Sequence, residues 1–304
     1  CRNSTKPADA FQLPKGFEIK LVAAEPLITD PVDMEIDELG NMYVVEMSGN
    51  PFNQSGAGKV KLLLDENGDG QMDKSFVFAD SLRMPSGVMR WKNGVLVTDP
   101  PYVIYYEDTN KDNKADIKKI LLEGFDASDL ESNVNNPYYG LDNWIYVANG
   151  GIGGTGIRFT SDSSNTVLKN NAGDHRVRFK PGSLELEMLA GQSQFGHTED
   201  IAGHPLFIEN ALHIYEEVIP AKYLNRNPNL VVSSATELIA DHSNKVFPRT
   251  INPENQLLTD VGVFTAACGI NAYLGGAFGK EYDNAVFVCE PAHNLIHVDR
   301  LKDK

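Results

Sequence analysis

DENGDGQMD, from Asp65 to Asp73, and DTNKDNKAD, from Asp108 to Asp116, place side-chain oxygens at offsets zero, two, four and eight. Asp65, Asn67, Asp69 and Asp73 make the first set; Asp108, Asn110, Asp112 and Asp116 make the second. Offsets of two let successive side chains converge on one point, and a hard cation such as calcium takes six to eight oxygens. The main-chain carbonyls of Gln71 and Lys114 fall where an EF-hand uses its backbone ligand. Phe76 and Lys119 occupy the twelfth positions, where that loop needs a bidentate Glu, so neither string is an EF-hand. Without an ion, Asx side chains would cap the turn by bonding their own backbone. Calcium is the expected ligand of both loops, with a structural role. The second is the weaker candidate, because Asn113 replaces a glycine and lysines dilute its charge.

Imidazole titrates in the range that proton transfer near neutral pH requires. His197 and His293 follow turn-like segments where a pocket could form, and with His297 they are the candidates for catalysis. His175, His204 and His242 are further imidazoles with less context. For any one of these, a hydrogen-bonded structural role competes with the catalytic one. No Ser-His-Asp order, Walker loop or dinucleotide fingerprint is present, and GIGGTG (151–156) has no helix pattern after it. Acids are plentiful, but nothing selects the carboxylate pair that glycan hydrolysis would need. Cys268 in TAACGI and Cys289 in VFVCEP lie in apolar, strand-like runs. They either form a disulfide, as in exported proteins, or pack as small apolar groups.

The elements that must position these groups are β-strands. Short runs of Val, Ile, Phe and Tyr alternate with Gly, Asn, Asp and Pro, and helical periodicity is scarce. A repeated unit recurs at PVDMEIDELGNMYVVEM (31–47), PSGVMRWKNGVLVTDP (85–100), NPYYGLDNWIYVANG (136–150) and EDIAGHPLFIEN (199–210), with a weaker copy at YDNAVFVCEP (282–291). Each copy is a strand, a tight polar turn and a second strand, with turns near Gly40, Gly94, Asn143 and Gly203. The two acidic strings stand 43 residues apart, about the length of one propeller blade. The expected fold is an all-β propeller of four-stranded blades over residues 14–304. About five of six blades fall within this chain, and further sequence or another chain would complete the ring. Residues 211–260 read as an irregular insertion, with a short helix in ALHIYEEVIPAKYLNRNP stopped by Pro220.

The balance of 27 basic against 42 acidic residues, a net charge of −15, excludes nucleic acid as a partner, since phosphate neutralisation needs an excess of Lys and Arg. No apolar run is long enough for a transmembrane helix. Cys1 heads a polar stretch, RNSTKPADA, and residues 1–13 read as a tether. A mature chain starting at Cys is what lipoprotein processing leaves, so lipidation of Cys1 and a bacterial envelope location are expected. The lipid would hold the protein at the outer membrane, on its periplasmic or surface face.

LPKGFEIKLVAAEPLITDPVDMEIDELGNMYVVEM, the DENGDGQMD loop, GLDNWIYVANG, GQSQFG, FTAACGINAYLGGAF and VFVCEPAHNLIH together resemble the front part of the bacterial haem-binding C-x-x-C-H family, also described as membrane-bound dehydrogenases. The resemblance runs from about Leu13 to about Asp299. It implies an exported propeller akin to quinoprotein glucose and sorbosone dehydrogenases, with pyrroloquinoline quinone (PQQ) and calcium as cofactors. Helical repeats and a cytochrome c domain would follow. The haem motif itself is not in this chain. His297 lies in NLIH, which matches the family's own string. In the sugar dehydrogenases a base-like His stands eight residues ahead of the Gly that matches Gly140; here that position is Ser132, and a hydroxyl without a base cannot take the proton. Two functions follow. One is a quinoprotein-type module for sugar or alcohol oxidation, passing electrons to a cytochrome. The other is a non-catalytic propeller serving as a binding or assembly subunit of an envelope complex, favoured by Ser132, the missing haem module and the tether.

Overall fold

The computed structural model describes residues 11–48, 55–129, 132–150, 154–161, 167–168, 173–180, 183–227, 229–239 and 262–301. Cys1, most of the tether, His242 and the stretch 240–261 lie outside them. The chain divides into two compact units, residues 1–95 with 106–118 and residues 96–105 with 119–304.

The fold is all-β, its five antiparallel sheets arranged as propeller blades. The first sheet runs in order through β1 (Pro31–Ile36), β2 (Met42–Glu46), β3 (Gly58–Leu64) and β4 (Lys74–Leu82). The second contains β5 (Gly87–Trp91), β6 (Gly94–Asp99), β7 (Tyr102–Glu107) and β8 (Ile117–Phe125). The third is led by β9 (Asn135–Tyr139) and β10 (Ile145–Ala148); the chain then leaves it, and β11 (Gly154–Phe159) joins the second sheet beside β8. It returns with β12 (His175–Lys180) and β13 (Ser183–Met188) to complete the third. The fourth is β14 (His197–Glu199), β15 (Pro205–Glu209), β16 (Leu212–Glu217) and β17 (Thr236–Leu238); the fifth is β18 (Cys268–Ala272), β19 (Ala285–Glu290) and β20 (Leu295–Arg300). Thus the second sheet exceeds the expected four strands, and the fifth has three among the described residues.

Three of the repeated turns close by one rule. In residues 37–41, 140–144 and 200–204 the first N–H bonds the fifth carbonyl, the fourth N–H bonds the first carbonyl, and the fourth residue is left-handed. That fourth residue is Gly40, Asn143 or Gly203, the residue types that tolerate positive φ. Asp37 and Asp200 at the first position accept the amides of the third and fifth residues. Gly140 takes that place in the third sheet because a Cβ there would stand 2.6 Å from the Tyr146 ring, and Asp142 does the capping instead through the Trp144 amide.

The second strand of each hairpin is the buried one. β2, β6 and β10 are buried throughout, which explains the unbroken apolar runs YVV, VLV and IYV. Side chains on the leading strands then tie neighbouring sheets. Asp33 Oδ2 accepts the Val88 amide at 2.8 Å, Asn136 Oδ1 accepts that of His197 at 3.0 Å, and Thr198 Oγ1 accepts that of Ala272 at 3.2 Å.

In the first unit, Met42, Val44 and Leu63 pack under the segment that carries Val22, Leu27 and Ile28. Gly94 has no room for a side chain: a Cβ would lie 1.9 Å from the Tyr106 carbonyl oxygen on β7. Backbone cannot yield as a side-chain tip can, so Gly94→Ala is expected to destabilise the fold by about 3 kcal/mol. Guanidinium denaturation checks this, through a lowered midpoint at unchanged slope.

Pro220 does not stop a helix. Leu212–Glu217 is strand β16, and α1 (Ala221–Leu224) begins immediately after Pro220, at φ −56°. Proline's fixed φ and missing N–H suit the start of a helix rather than its end.

Candidate functional site

Both acidic strings sit on the hairpins they were read to brace, between β3 and β4 and between β7 and β8. Their side chains fold back on the loop's own amides. Asp65 accepts from Gly68 at 2.7 Å and Gly70 at 2.8 Å, Asn67 from Asp69 at 2.9 Å, Asp69 from Gln71 at 2.8 Å, and Asp73 from Glu66 at 2.8 Å. The second loop repeats the scheme: Asp108 accepts from Lys111 and Asn113, Asn110 from Asp112, Asp112 from Lys114, and Asp116 from Thr109. Backbone hydrogen bonding, led by Gly70, holds the Asp65 carboxyl below its ordinary range, and the Thr109 hydroxyl does the same for Asp116.

A sealed ionisable pair lies in the second unit. His197 Nδ1 meets Asp174 Oδ2 at 2.8 Å, with both side chains buried. Asp174 Oδ1 accepts the amides of Asn149 and Ser193, each at 2.9 Å. The His197 ring is walled by Tyr138, edge-on at 5.0 Å between centroids, by Tyr146 at 6.1 Å and by Phe207 at 6.3 Å. Its Nε2 is buried without a hydrogen-bond partner. Ser132 adjoins this place: its carbonyl oxygen lies where a Cβ on Gly150 would come within 2.3 Å, next to Asn149. The Ser132 backbone thus packs on Gly150, the neighbour of the Asn149 whose amide Asp174 holds.

Beside the pair, charges are matched. Tyr146 donates to Asp142 Oδ2 at 2.9 Å, and Arg176 reaches Asp142 at 3.3 Å and Glu187 at 2.6 Å. The guanidinium groups of Arg176 and Arg178 lie over the Trp144 ring at 4.5 Å and 4.3 Å. Burial pushes the Tyr138 and Tyr146 hydroxyls above their ordinary range, and burial likewise raises Glu199.

A second pair repeats the theme in the fifth sheet. His293 and Glu290 are both fully buried and 3.3 Å apart, while Glu290 Oε2 accepts the amides of Thr265 and Ala266. Glu46 holds the Thr29 amide at 2.8 Å, and Glu217 holds those of Ala190 and Gly191. Buried carboxylates at strand ends are thus ties between blades and the loops that lead into them.

His297 is elsewhere, half-buried on β20, with Nε2 at 2.9 Å from Asp299 Oδ1. Across from it stands His213 on β16, a residue the sequence reading passed over. The three catalytic candidates therefore occupy three separate places. Cys268 and Cys289 face each other in register across β18 and β19 as half-buried free thiols. Burial pushes the Cys268 thiol up to about 11 and raises Cys289 as well, so both stay protonated at neutral pH.

A cleft of about 480 Å³ opens between the 189–192 loop, β16 and α1, lined by Gln192, Glu209, Tyr215, Ala221, Leu224 and Asn225. Gly191 forms part of its wall, with the Phe207 ring on the far side, so the cleft and His197 share one aromatic partition.

His175, next to Asp174, is fully buried at an edge of the Phe125 ring, and burial lowers it to about 4. The unfolded chain takes up this proton near pH 6.5, the folded chain only near 4, so stability is lost as pH falls between those values. Expected from this group alone is a loss of about 2 kcal/mol between pH 8 and pH 5. Denaturation at the two pH values should show that difference reduced in His175→Gln.

Among solved structures, the chain is similar to the crystal structure of an oxidoreductase of Thermus thermophilus described as a glucose dehydrogenase, at 11% identity and a TM-score of 0.33, covering 85% of this chain and 89% of that one. No curated protein matches. Residues 3–304 match the family described as "Domain of unknown function (DUF7133)", and the chain belongs to that family.

Proposed function

We propose that this chain is a dehydrogenase-like propeller that binds a ligand or partner rather than oxidising a substrate itself, and that it does so as a lipid-anchored module of the bacterial envelope. The observation that supports this best is the role of its ionisable pairs: Asp174–His197 and Glu290–His293 are sealed, and their carboxylates are bonded to loop amides. A base that serves a sugar hydroxyl must reach it within about 2.6–3.2 Å or through one water. PQQ is a tricarboxylate, and the groups around His197 do not suit it. Asp142, Asp174 and Glu199 surround the site, and Arg176 is already ion-paired with Glu187 and Asp142. The 480 Å³ cleft is the ligand-accepting surface in this reading, because it is concave and sets Gln192, Glu209, Tyr215 and Asn225 beside apolar Ala221 and Leu224. The two acidic loops suit a hard cation in donor type and would brace their hairpins, with thermal stability raised by calcium and lowered by a chelator.

A second reading is favoured by one feature. The Asp174–His197 bond is the arrangement that orients an imidazole for proton abstraction, and the same Asp174 holds the amide of Asn149, whose neighbour Gly150 packs on the Ser132 backbone. A dye-linked oxidation assay over sugars and alcohols, with PQQ and calcium added, separates the two. No turnover is expected. Turnover that is lost in a folded His197→Asn variant would establish oxidation. Anchoring is checked by intact mass spectrometry of the native protein, where acyl chains on Cys1 are expected and an unmodified Cys1 would end that part of the proposal.

A further inference from the structure

Two imidazoles and a carboxylate from different sheets converge in the second unit. His213 lies on β16, while His297 and Asp299 project from the same face of β20, two residues apart. Their ligating atoms all fall within 4.8 Å of one another, and among the described residues this is the one such trio of His, Cys, Asp or Glu side chains. His297 Nε2 is 2.9 Å from Asp299 Oδ1, and His213 Nε2 is 3.9 Å from Asp299 Oδ2. Donors on a tetrahedral ion with bonds of about 2.0–2.1 Å stand roughly 3.4 Å apart, between those two separations. The ring nitrogens of the two histidines stand within 4.8 Å of each other, so rotation of the side chains brings all three donors to that spacing.

The surroundings hold the rings for that purpose. Phe264 stacks on His213 at 3.6 Å between centroids and meets His297 edge-on at 5.3 Å; the two imidazole planes cross at 87°. Ile208, Ile214, Val286 and Val288 form the apolar core behind Phe264, which fixes the ligands and lowers the local dielectric. Exposure rises across the trio, from 2% at the His213 side chain through 18% at Asp299 to 31% at His297. One ligand is thus rooted in the core, and the other two lie nearer the surface.

We propose that His213, His297 and Asp299 form a binding site for a divalent first-row transition ion, with zinc the best match. Two neutral imidazoles and one carboxylate suit this borderline cation, whereas calcium requires an all-oxygen shell. Among the described residues three protein ligands converge, the count with which zinc takes a water or a further ligand as its fourth. The site stands apart from the cleft and from the Asp174–His197 pair, so it does not depend on how those function.

The test uses the full chain stripped with a chelator. Titration with zinc chloride by calorimetry should show one site per chain, and cobalt(II) should give visible absorption typical of a site with nitrogen ligands. His297→Asn and Asp299→Asn, at the exposed side, should each weaken zinc at least tenfold with circular dichroism unchanged, as should His213→Asn where it folds. Asp65→Asn should leave zinc affinity as it is, and excess calcium should not displace the ion. Zinc binding that is absent, or that persists undiminished in His297→Asn and Asp299→Asn, overturns the assignment.

Discussion

Asp174→Ala is expected to cost about 3–5 kcal/mol of folding stability, the loss typical when one member of a buried, hydrogen-bonded pair is removed. The side chain is fully buried and satisfies three donors at once: the Asn149 and Ser193 amides at 2.9 Å and His197 at 2.8 Å. Truncation strands all three in a dry interior, and each stranded group carries its desolvation cost. Asn149 follows β10 and Ser193 precedes β14, so this one carboxylate joins the end of the third sheet's hairpin to the loop entering the fourth. Asp174→Asn keeps an acceptor for the two amides and should recover a substantial part of the loss. Guanidinium denaturation of the three proteins at one pH gives the comparison. A loss below about 1 kcal/mol for Asp174→Ala would show that the tie is not holding the blades.

Phe207→Ala should be of similar size, about 3–5 kcal/mol, for a different reason. Phe207 is fully buried, stacks on Tyr215 at 5.5 Å and stands edge-on to His197 at 6.3 Å. Gly191 has its Cα pressed to the ring, since a Cβ there would lie 2.6 Å from Phe207. Removing the ring leaves a void that the glycine loop cannot fill, and it removes the partition between His197 and the cleft. Phe207→Leu, which retains most of the volume, should cost less than about 1.5 kcal/mol. A small apolar probe such as benzene should stabilise the Ala variant and leave the parent protein unaffected.

Much of the blade pattern was legible because it rests on local chemistry. Gly40, Asn143 and Gly203 mark turns whose fourth residue must be left-handed, and the runs YVV, VLV and IYV mark strands buried on both faces. The acidic strings were legible as ordered loops for the same reason, since Asp65 and Asp108 act within five residues of themselves. What depended on distant partners was not. Nothing in GTGIRF says that β11 will leave the third sheet for β8, because that choice is made by pairing with Leu122 and Phe125. His213 carries no local signal: its fellow ligands lie more than eighty residues on and meet it only where the fourth and fifth sheets pack together. Pro220 was misplaced in function, because proline marks a helix start as readily as an end and the strand before it, LHIYEE, pairs across the sheet. His197 was picked out by a turn, but its meaning comes from Asp174, 23 residues earlier, and from the tyrosines that seal it.

In the proposed reading the histidine–acid pairs tie loops to blades and do not seat a quinone, and equilibrium dialysis of the full chain against PQQ with calcium tests that proposal most directly. No retention above that of an unrelated acidic protein is predicted. Stoichiometric retention that is weakened by His197→Asn or Arg176→Gln, in variants that keep their fold, would contradict it.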